Sequence, residues 1–476
     1  MKKIINLILL LVLGIQLIAH PWKPAHYVII DTDGGVDDLK AINYFLASPD
    51  VRVLAITVSP GSLSAENTYL KVKSLLNACF HEGLPVGINR KSRFSSPNFQ
   101  TALQSKWGDE NGINPLSAPD ATDLIRKVFA FEKTKISFVC LGGLNTVLNA
   151  ENEIPEFRTQ VQEIIWSADG LTDTKGFNYV IDSDASVKIL HGELPVRIVT
   201  SAGIDEFYNS GFIKKLVAIN TIYAKKISGF LSGENGPGHE FSLQGVDEMV
   251  PVYIHFPALF RTTTDGKNSE SVPSNIPAIR EKTLVILEGE TVARNQVVKA
   301  FPQDTSFYFA DLQKDVGLII DKFGIDEWTS GIIANELHRH LGVYAIIGVK
   351  MGIRAREYYA TGVDEFRATT FAGSNPPLSC MNDGVQVSTG ATPGHGLLTV
   401  SSDTLKRPCG VFSYMNHKLR LTLKPEIAAK INAELKEINF VYGLDSNIYW
   451  ELVRKNSIKY WRDLDRHEIF VIEEVQ

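Results

Sequence analysis

The chain has 476 residues, enough for two or three domains that each bury a core of their own. With 44% hydrophobic and 21% charged residues, 36 Gly and 21 Pro, it has the make-up of a globular protein and not of a disordered or collagen-like one. A formal net charge of −6 argues against nucleic acid as a partner, and Cys79, Cys140, Cys380 and Cys409, with no C-x-x-C pair, argue against a disulfide framework or a zinc ribbon.

Lys2 and Lys3 precede an apolar run from Ile4 to Ala19. It is short for a span of ~20 residues and has the layout of a secretory signal. Residues 1–19 are therefore expected to be removed, giving an exported, periplasmic or extracellular protein without a stable membrane span. Leu17 at the third position before the cut departs from the usual small residue and leaves an uncleaved anchor as the alternative.

From Tyr27 onward, short β-rich runs alternate with helical patterns. Y-V-I-I, V-R-V-L-A-I-T-V, K-I-S-F-V-C-L, E-I-I-W-S and P-V-R-I-V-T are the expected strands, with helices from about Asp38 and Ala65. This is the pattern of an α/β domain, a mostly parallel sheet with helices on both faces, expected over residues 26–325. The polar stretch Thr262–Pro277 is expected to be a surface loop, and L-V-I-L at 284–287 and Y-F-A at 308–310 to be strand-like. A boundary is expected near Gly324–Ser330. Beyond it lies a C-terminal α+β domain, residues 330–476, with a helix running into H-R-H-L-G, another near Gly348–Tyr359, and strands at V-Q-V-S-T-G and G-L-L-T-V-S.

The sharpest local feature is V-I-I-D-T-D-G-G-V-D-D at 28–38, where Asp31, Asp33, Asp37 and Asp38 follow a buried-strand pattern. Loops at the carboxyl ends of parallel strands form the ligand crevice of open α/β sheets. Gly34 and Gly35 let the backbone turn tightly enough for carboxylates to converge, and hard cations take several oxygen ligands. Helix capping by Asp37 and Asp38 is the plainer alternative for those two, and it leaves Asp31 and Asp33 unexplained.

The segment resembles the D-x-D-P-G-x-D-D opening of the inosine-uridine-preferring nucleoside hydrolases, and the likeness runs from residue 27 to about 320. In that family the loop holds Ca²⁺ and a calcium-bound water attacks the anomeric carbon of a ribonucleoside. The resemblance implies that Asp33 is calcium ligand and general base, Asp38 a bidentate ligand, Asp37 a holder of ribose hydroxyls and Asp31 a supporting residue. L-G-G-L-N at 141–145 resembles the family's G-G-L-T-N turn, which implies a ligand carbonyl at Leu141. G-F-N-Y-V-I-D-S-D-A at 176–185 resembles E-F-N-x-x-x-D-P-E-A and implies Phe177 and Asn178 at the ribose. D-E-M-V-P-V-Y-I-H-F-P-A-L-F at 247–260 resembles D-P-L-A-V-A-Y-L-x-D-P-E-L-F and implies Asp247 as the distant calcium ligand.

Three departures stand beside these matches. Ser62 occupies the position of the usual Asn, Gly176 replaces a Glu that binds ribose hydroxyls, and Val246 replaces the His before the calcium-binding Asp. His239, eight residues before Asp247, is the candidate substitute acid. A cation that lowers the pKa of water, a carboxylate to take its proton and an anionic cluster facing an oxocarbenium-like sugar are what N-glycosidic hydrolysis needs. The expected substrate is a small-molecule nucleoside or riboside, with a homo-oligomer left open. Two other readings remain: a non-catalytic calcium-dependent nucleoside or sugar binder, and a haloacid-dehalogenase-like phosphatase with Asp31 as nucleophile.

E-L-H-R-H-L-G-V-Y-A-I-I-G-V-K-M-G and C-M-N-D-G-V-Q-V-S-T-G-A-T-P-G-H-G resemble the core domain of the formylmethanofuran dehydrogenase E family, over about 332–476. His338, His340, Cys380, Asp383 and His395 make a candidate set for Zn²⁺ or another transition metal. Two histidines two residues apart can face one ion only at a helix end. Helix capping by the histidines and a purely packing Cys380 form the alternative.

Overall fold

The computed structural model describes residues 23–201, 204, 206–233, 246–291, 297–298 and 300–475. The expected signal segment, residues 1–19, and His239 lie outside the described residues. Among those described, no helix is long and apolar enough to cross a membrane.

Seven parallel strands and one antiparallel edge strand form the first sheet. In chain order they are β1 (His26–Thr32), β2 (Val51–Val58), β3 (Val86–Ile88), β4 (Ile136–Cys140), β5 (Val161–Ser167), β6 (Val196–Val199), β7 (Phe260–Asp265) and β8 (Asn268–Pro273). Their spatial order is β3-β2-β1-β4-β5-β6-β8-β7. Successive residues of a strand point to opposite faces, and here both faces are covered. Val28 and Ile30 of β1 join one core with Val53 and Ile56, while Ile29 joins a second with Leu54, Phe138 and Ile164. Chain order reverses at β1, between β2 and β4, so the topological switch point opens at the carboxyl ends of β1 and β4.

A second sheet of five strands has the order β10-β9-β11-β12-β13, from β9 (Arg367–Thr370), β10 (Leu398–Val400), β11 (Cys409–Tyr414), β12 (His417–Leu423) and β13 (Phe470–Val475). Only β9 and β10 pair in parallel. The helices Ile325–His338, Val343–Tyr358, Met381–Thr389 and Asn447–Asp463 accompany it, with a core of its own around Met351, Phe366, Phe412 and Leu421. The chain is thus a mostly parallel α/β unit followed by an α+β unit, as the sequence pattern led us to expect.

Several local expectations are corrected. Thr262–Pro277 is not a loop: β7 and β8 form a hairpin across Asp265–Asn268, turning at Gly266 with φ +58°. The β-branched threonines suit an edge strand whose outer residues are exposed, and their polarity hid it. L-V-I-L closes the helix Ile276–Leu287, Y-F-A leads into the helix Ala310–Gln313, and V-Q-V-S-T belongs to the helix Met381–Thr389. Leu312, Val316, Ile319 and Phe323 pack against Trp328, Leu341, Ile346, Ile458 and Trp461, joining residues on both sides of the expected boundary in one core.

The two units meet at the turn before β3. Gly83 N–H donates to Tyr358 O (2.9 Å), Arg354 pairs with Glu82 (2.7 Å), and Phe80 stacks on His467 with ring centroids 3.5 Å apart. At the start of β2, Arg52 pairs with Glu365. These contacts lie at the amino ends of the strands, opposite the crevice.

Candidate active site

The backbone leaves β1 through a turn that requires glycine. Gly34 has φ +88°, and a Cβ there would sit 2.5 Å from Thr68 Oγ1. The carboxylate of Asp38, in the first turn of the helix Val36–Ala47, accepts Thr32 Oγ1–H (2.5 Å), Asp33 N–H (2.9 Å) and Gly34 N–H (3.3 Å). It braces the loop, and the helix itself has no side-chain cap. Asp31 lies under the loop, where Thr57 and Ser59 donate to it at 2.6 and 2.9 Å. Burial pushes its carboxyl up to about 7.

One cavity of about 150 Å³ opens at the carboxyl ends of β1, β4 and β5. Asp33, Asp37, Asp38, Ser62, Leu141, Phe177, Asn178 and Asp247 all line it, so every described site residue named from the sequence for the first domain converges there, apart from the underlying Asp31. Oxygens of Asp37, Asp38 and Asp247 lie within 4.8 Å of one another. This trio differs from the expected ligand set, since Asp37 joins it and Asp33 stands beside it. Asp33 Oδ1 accepts Gly35 N–H at 3.3 Å, and its main-chain oxygen accepts Leu63 N–H and Thr68 Oγ1–H, each at 3.0 Å.

Burial, reinforced by mutual repulsion, pushes Asp33 and Asp247 well above the usual carboxylate range and Asp37 up to about 7. Among the described residues, no Lys, Arg or His lines the cavity. Lys40, behind Asp37, is committed to Glu248 at 2.5 Å. Five carboxylates line the cavity, and the oxygens of three of them, Asp37, Asp38 and Asp247, lie close enough together for a hard cation with ligands at ~2.3–2.6 Å, which fits a divalent ion such as Ca²⁺.

Asn178 lies in a short helix, Phe177–Val180, and its Nδ2–H₂ donates to Leu141 O (2.7 Å) and Ser167 O (3.0 Å), tying the ends of β4 and β5 together. A carbonyl oxygen has a second lone pair, so Leu141 keeps one acceptor direction. Phe177 packs near Phe99 and Phe94, with centroids 5.6 and 6.3 Å apart. The sequence reading missed Ser167, whose hydroxyl donates to Asp247, and Asp169, which also lines the cavity. Asp169 lies against Gly176: a Cβ on that glycine would meet Asp169 Oδ2 at 2.1 Å. The departure at Gly176 was the available signal for it.

In the second unit, His338 ends its helix and Arg339 follows with φ +67°, so the rings of His338 and His340 come together at 4.2 Å. Asp383 Oδ2 lies 2.8 Å from His338 Nδ1, as an orienting carboxylate does, while His338 Nε2 is buried with no hydrogen-bond partner among the described residues. Cys380 packs in the core, and burial pushes its thiol up to about 11. His395 faces Asp364 at 3.4 Å. The structure therefore brings His338, His340 and Asp383 together, and the five residues do not close to mutual ligand distance.

Residues 28–257 match the family described as inosine-uridine preferring nucleoside hydrolase, and residues 337–439 match FmdE, molybdenum formylmethanofuran dehydrogenase operon. Among curated proteins, the pyrimidine-specific ribonucleoside hydrolase RihA of Salmonella enteritidis PT4 is 26% identical over 192 residues, which is 37% of this chain and 60% of that protein. The chain thus spans less than two thirds of the length of that relative. Among solved structures, a plant nucleoside hydrolase, the PpNRh1 enzyme, shows 18% identity over 57% of this chain and 100% of its own, with a TM-score of 0.42. The inosine-uridine preferring nucleoside hydrolase from Bacillus anthracis shows 12% identity over 56% and 99%, with a TM-score of 0.43.

Proposed function

From a chain that carries an inosine-uridine preferring nucleoside hydrolase domain over residues 28–257 and an FmdE domain over residues 337–439, we propose a calcium-dependent hydrolase of N-glycosidic bonds in ribonucleosides or related ribosides, exported after loss of residues 1–19. The observation that carries this reading is the convergence of Asp33, Asp37, Asp38 and Asp247 on one cavity at the switch point of the sheet. Asp37, Asp38 and Asp247, whose oxygens converge, would hold the cation together with the second lone pair of Leu141 O, and Asp33 stands beside them. When bound, calcium supplies Lewis acidity that makes water a better nucleophile near neutral pH.

The chain's own groups do the rest. Asp33, fixed through its main-chain oxygen by Leu63 and Thr68, accepts the proton of the attacking water. The anionic wall of the cavity favours a sugar that gains positive charge as the base departs. Asp37 and Asp169 take sugar hydroxyls, Phe177 packs against the ring, and Ser62 is within reach of the substrate. Asp169 stands where the carboxylate missing at Gly176 is needed. Val246, on the cavity wall, has no proton to give. His239 is the candidate acid in this reading. The FmdE domain receives no reaction; His338 and His340 are its candidate ligands for Zn²⁺ or a similar ion.

The test is a substrate panel with calcium removed and restored. Nitrophenyl riboside, whose leaving group needs no proton, is expected to be cleaved faster than inosine, by about tenfold for each ~1.4 kcal/mol of missing support. Uridine and cytidine belong in the panel because the curated relative is named pyrimidine-specific. Chelation should abolish cleavage and calcium should restore it. Calcium binding without cleavage of any riboside would make the protein a binder, and cleavage that survives complete chelation would overturn the metal's role.

A further inference from the structure

The amino-terminal edge of the first sheet carries a second cluster of potential ligands, unrelated to the acidic cavity. His26 opens β1, Asp50 sits in the turn before β2, and His255 closes the helix Met249–His255. One ligand atom from each lies within 4.8 Å of the other two, and all three side chains are part-buried. The imidazoles meet edge to face with centroids 5.6 Å apart. Asp50 is fixed by the chain it faces: Ala25 N–H donates to Oδ1 (2.9 Å) and His26 N–H to its main-chain oxygen (3.1 Å). Among the described residues, nothing hydrogen-bonds the buried His255 Nε2, a costly state for an imidazole nitrogen unless something binds it.

We propose that His26, Asp50 and His255 form a binding site for one divalent transition metal, zinc in the first instance. Two imidazoles and one carboxylate are the donor set of zinc and its borderline neighbours, whereas calcium takes oxygen donors. Tetrahedral bonds of ~2.0–2.1 Å place ligand atoms ~3.3 Å apart. Closing from separations of at most 4.8 Å therefore asks for shifts of no more than about 1 Å per ligand atom.

The site is far from the acidic cavity. At ~3.3 Å per residue, β1 separates His26 from Asp33 by about 20 Å. It joins the start of β1 to the end of a helix that begins just after Asp247. A bound ion would tie together two elements that set the carboxylates at the opposite edge.

Zinc binding to the untagged full chain, saturated with calcium, tests this. The wild type is expected to bind one more equivalent of zinc than His255→Ala or His26→Gln, with affinity at that equivalent reduced at least about tenfold in each variant. Zinc should raise the unfolding temperature of the wild type more than that of either variant, while His338→Ala keeps the extra equivalent. If His255→Ala does not fold, His26→Gln, at the edge of the first strand, carries the comparison. Equal zinc stoichiometry in wild type and folded variants would overturn the proposal.

Discussion

Asp33 is placed by its main chain as well as by its carboxylate, which accepts Gly35 N–H. Its main-chain oxygen is held by Leu63 and Thr68, and both Gly61 and Gly142 approach its side chain so closely that a Cβ on either would fall within 3 Å of it. Asp33→Ala should therefore leave the loop folded and remove the proton acceptor, lowering kcat by ~10²–10⁴ on nitrophenyl riboside. Circular dichroism and kcat on the same preparation check this, and full activity in a folded variant would remove Asp33 from the chemistry. Asp169 is expected to act in binding. Asp169→Asn should raise KM about tenfold, the equivalent of ~1.4 kcal/mol, with calcium content unchanged. A fall in kcat with constant KM would assign Asp169 to the reaction itself. These two residues differ in how far the sequence disclosed them. Asp33 sits in a contiguous motif whose geometry is local, whereas Asp169 joins the site only through its approach to Gly176, seven positions along a loop.

The elements show the same division between local and tertiary information. The strands β1, β2, β4, β5 and β6 were legible because parallel strands covered on both faces read as short, nearly continuous apolar runs. V-Q-V-S-T misled because its alternation suits a strand. It is helical because its helix packs by direct backbone approach against Val343–Tyr358. A Cβ on Gly348 would meet Met381 O at 2.1 Å, and one on Gly384 would meet Ala345 O at the same distance. Such a crossing is a property of two segments, and no single window contains it. The obstructing atoms are main-chain oxygens, so the helices must separate to admit a side chain. Gly348→Val is expected to destabilise the second unit by at least the ~1–3 kcal/mol typical of overpacking. Denaturant unfolding followed by tryptophan fluorescence measures it, and an unchanged midpoint would mean that the helices are not in this contact.

For the whole molecule, the docking of the two units is tied to pH through His81. Its Nδ1 lies 2.5 Å from Glu357 O, across the interface, and its Nε2 2.7 Å from Tyr223 Oη. Burial lowers its pKa from the ordinary 6.5, so below that pH the unfolded chain takes up a proton that the folded one resists. Stability is then fully present above pH ~6.5 and falls with acidification, by at most ~1.4 kcal/mol per pH unit for one proton. Glu357 acts in the same direction lower down: burial raises its pKa, Arg466 and His467 more than offset this, and the net lowering makes its contribution fade as pH drops below its ordinary 4.5. His81→Gln should flatten the pH dependence of the unfolding midpoint between pH 6.5 and 5; an unaltered slope would exclude His81 as its source. The sequence placed the division between the units near Gly324, at the visible change of pattern, but burial places residues before it in the second unit's structure. Leu312, Val316, Ile319 and Phe323 are each at most 7% exposed and cover Trp328, Ile346 and Trp461. At ~1.5–3 kcal/mol for each buried side chain, their removal forfeits up to roughly 6–12 kcal/mol, as much as a domain's entire stability. A fragment starting at Thr305 is therefore expected to unfold cooperatively, and one starting at Asp326 to be unfolded or aggregated. Equal unfolding temperatures for the two fragments would return the division to Gly324.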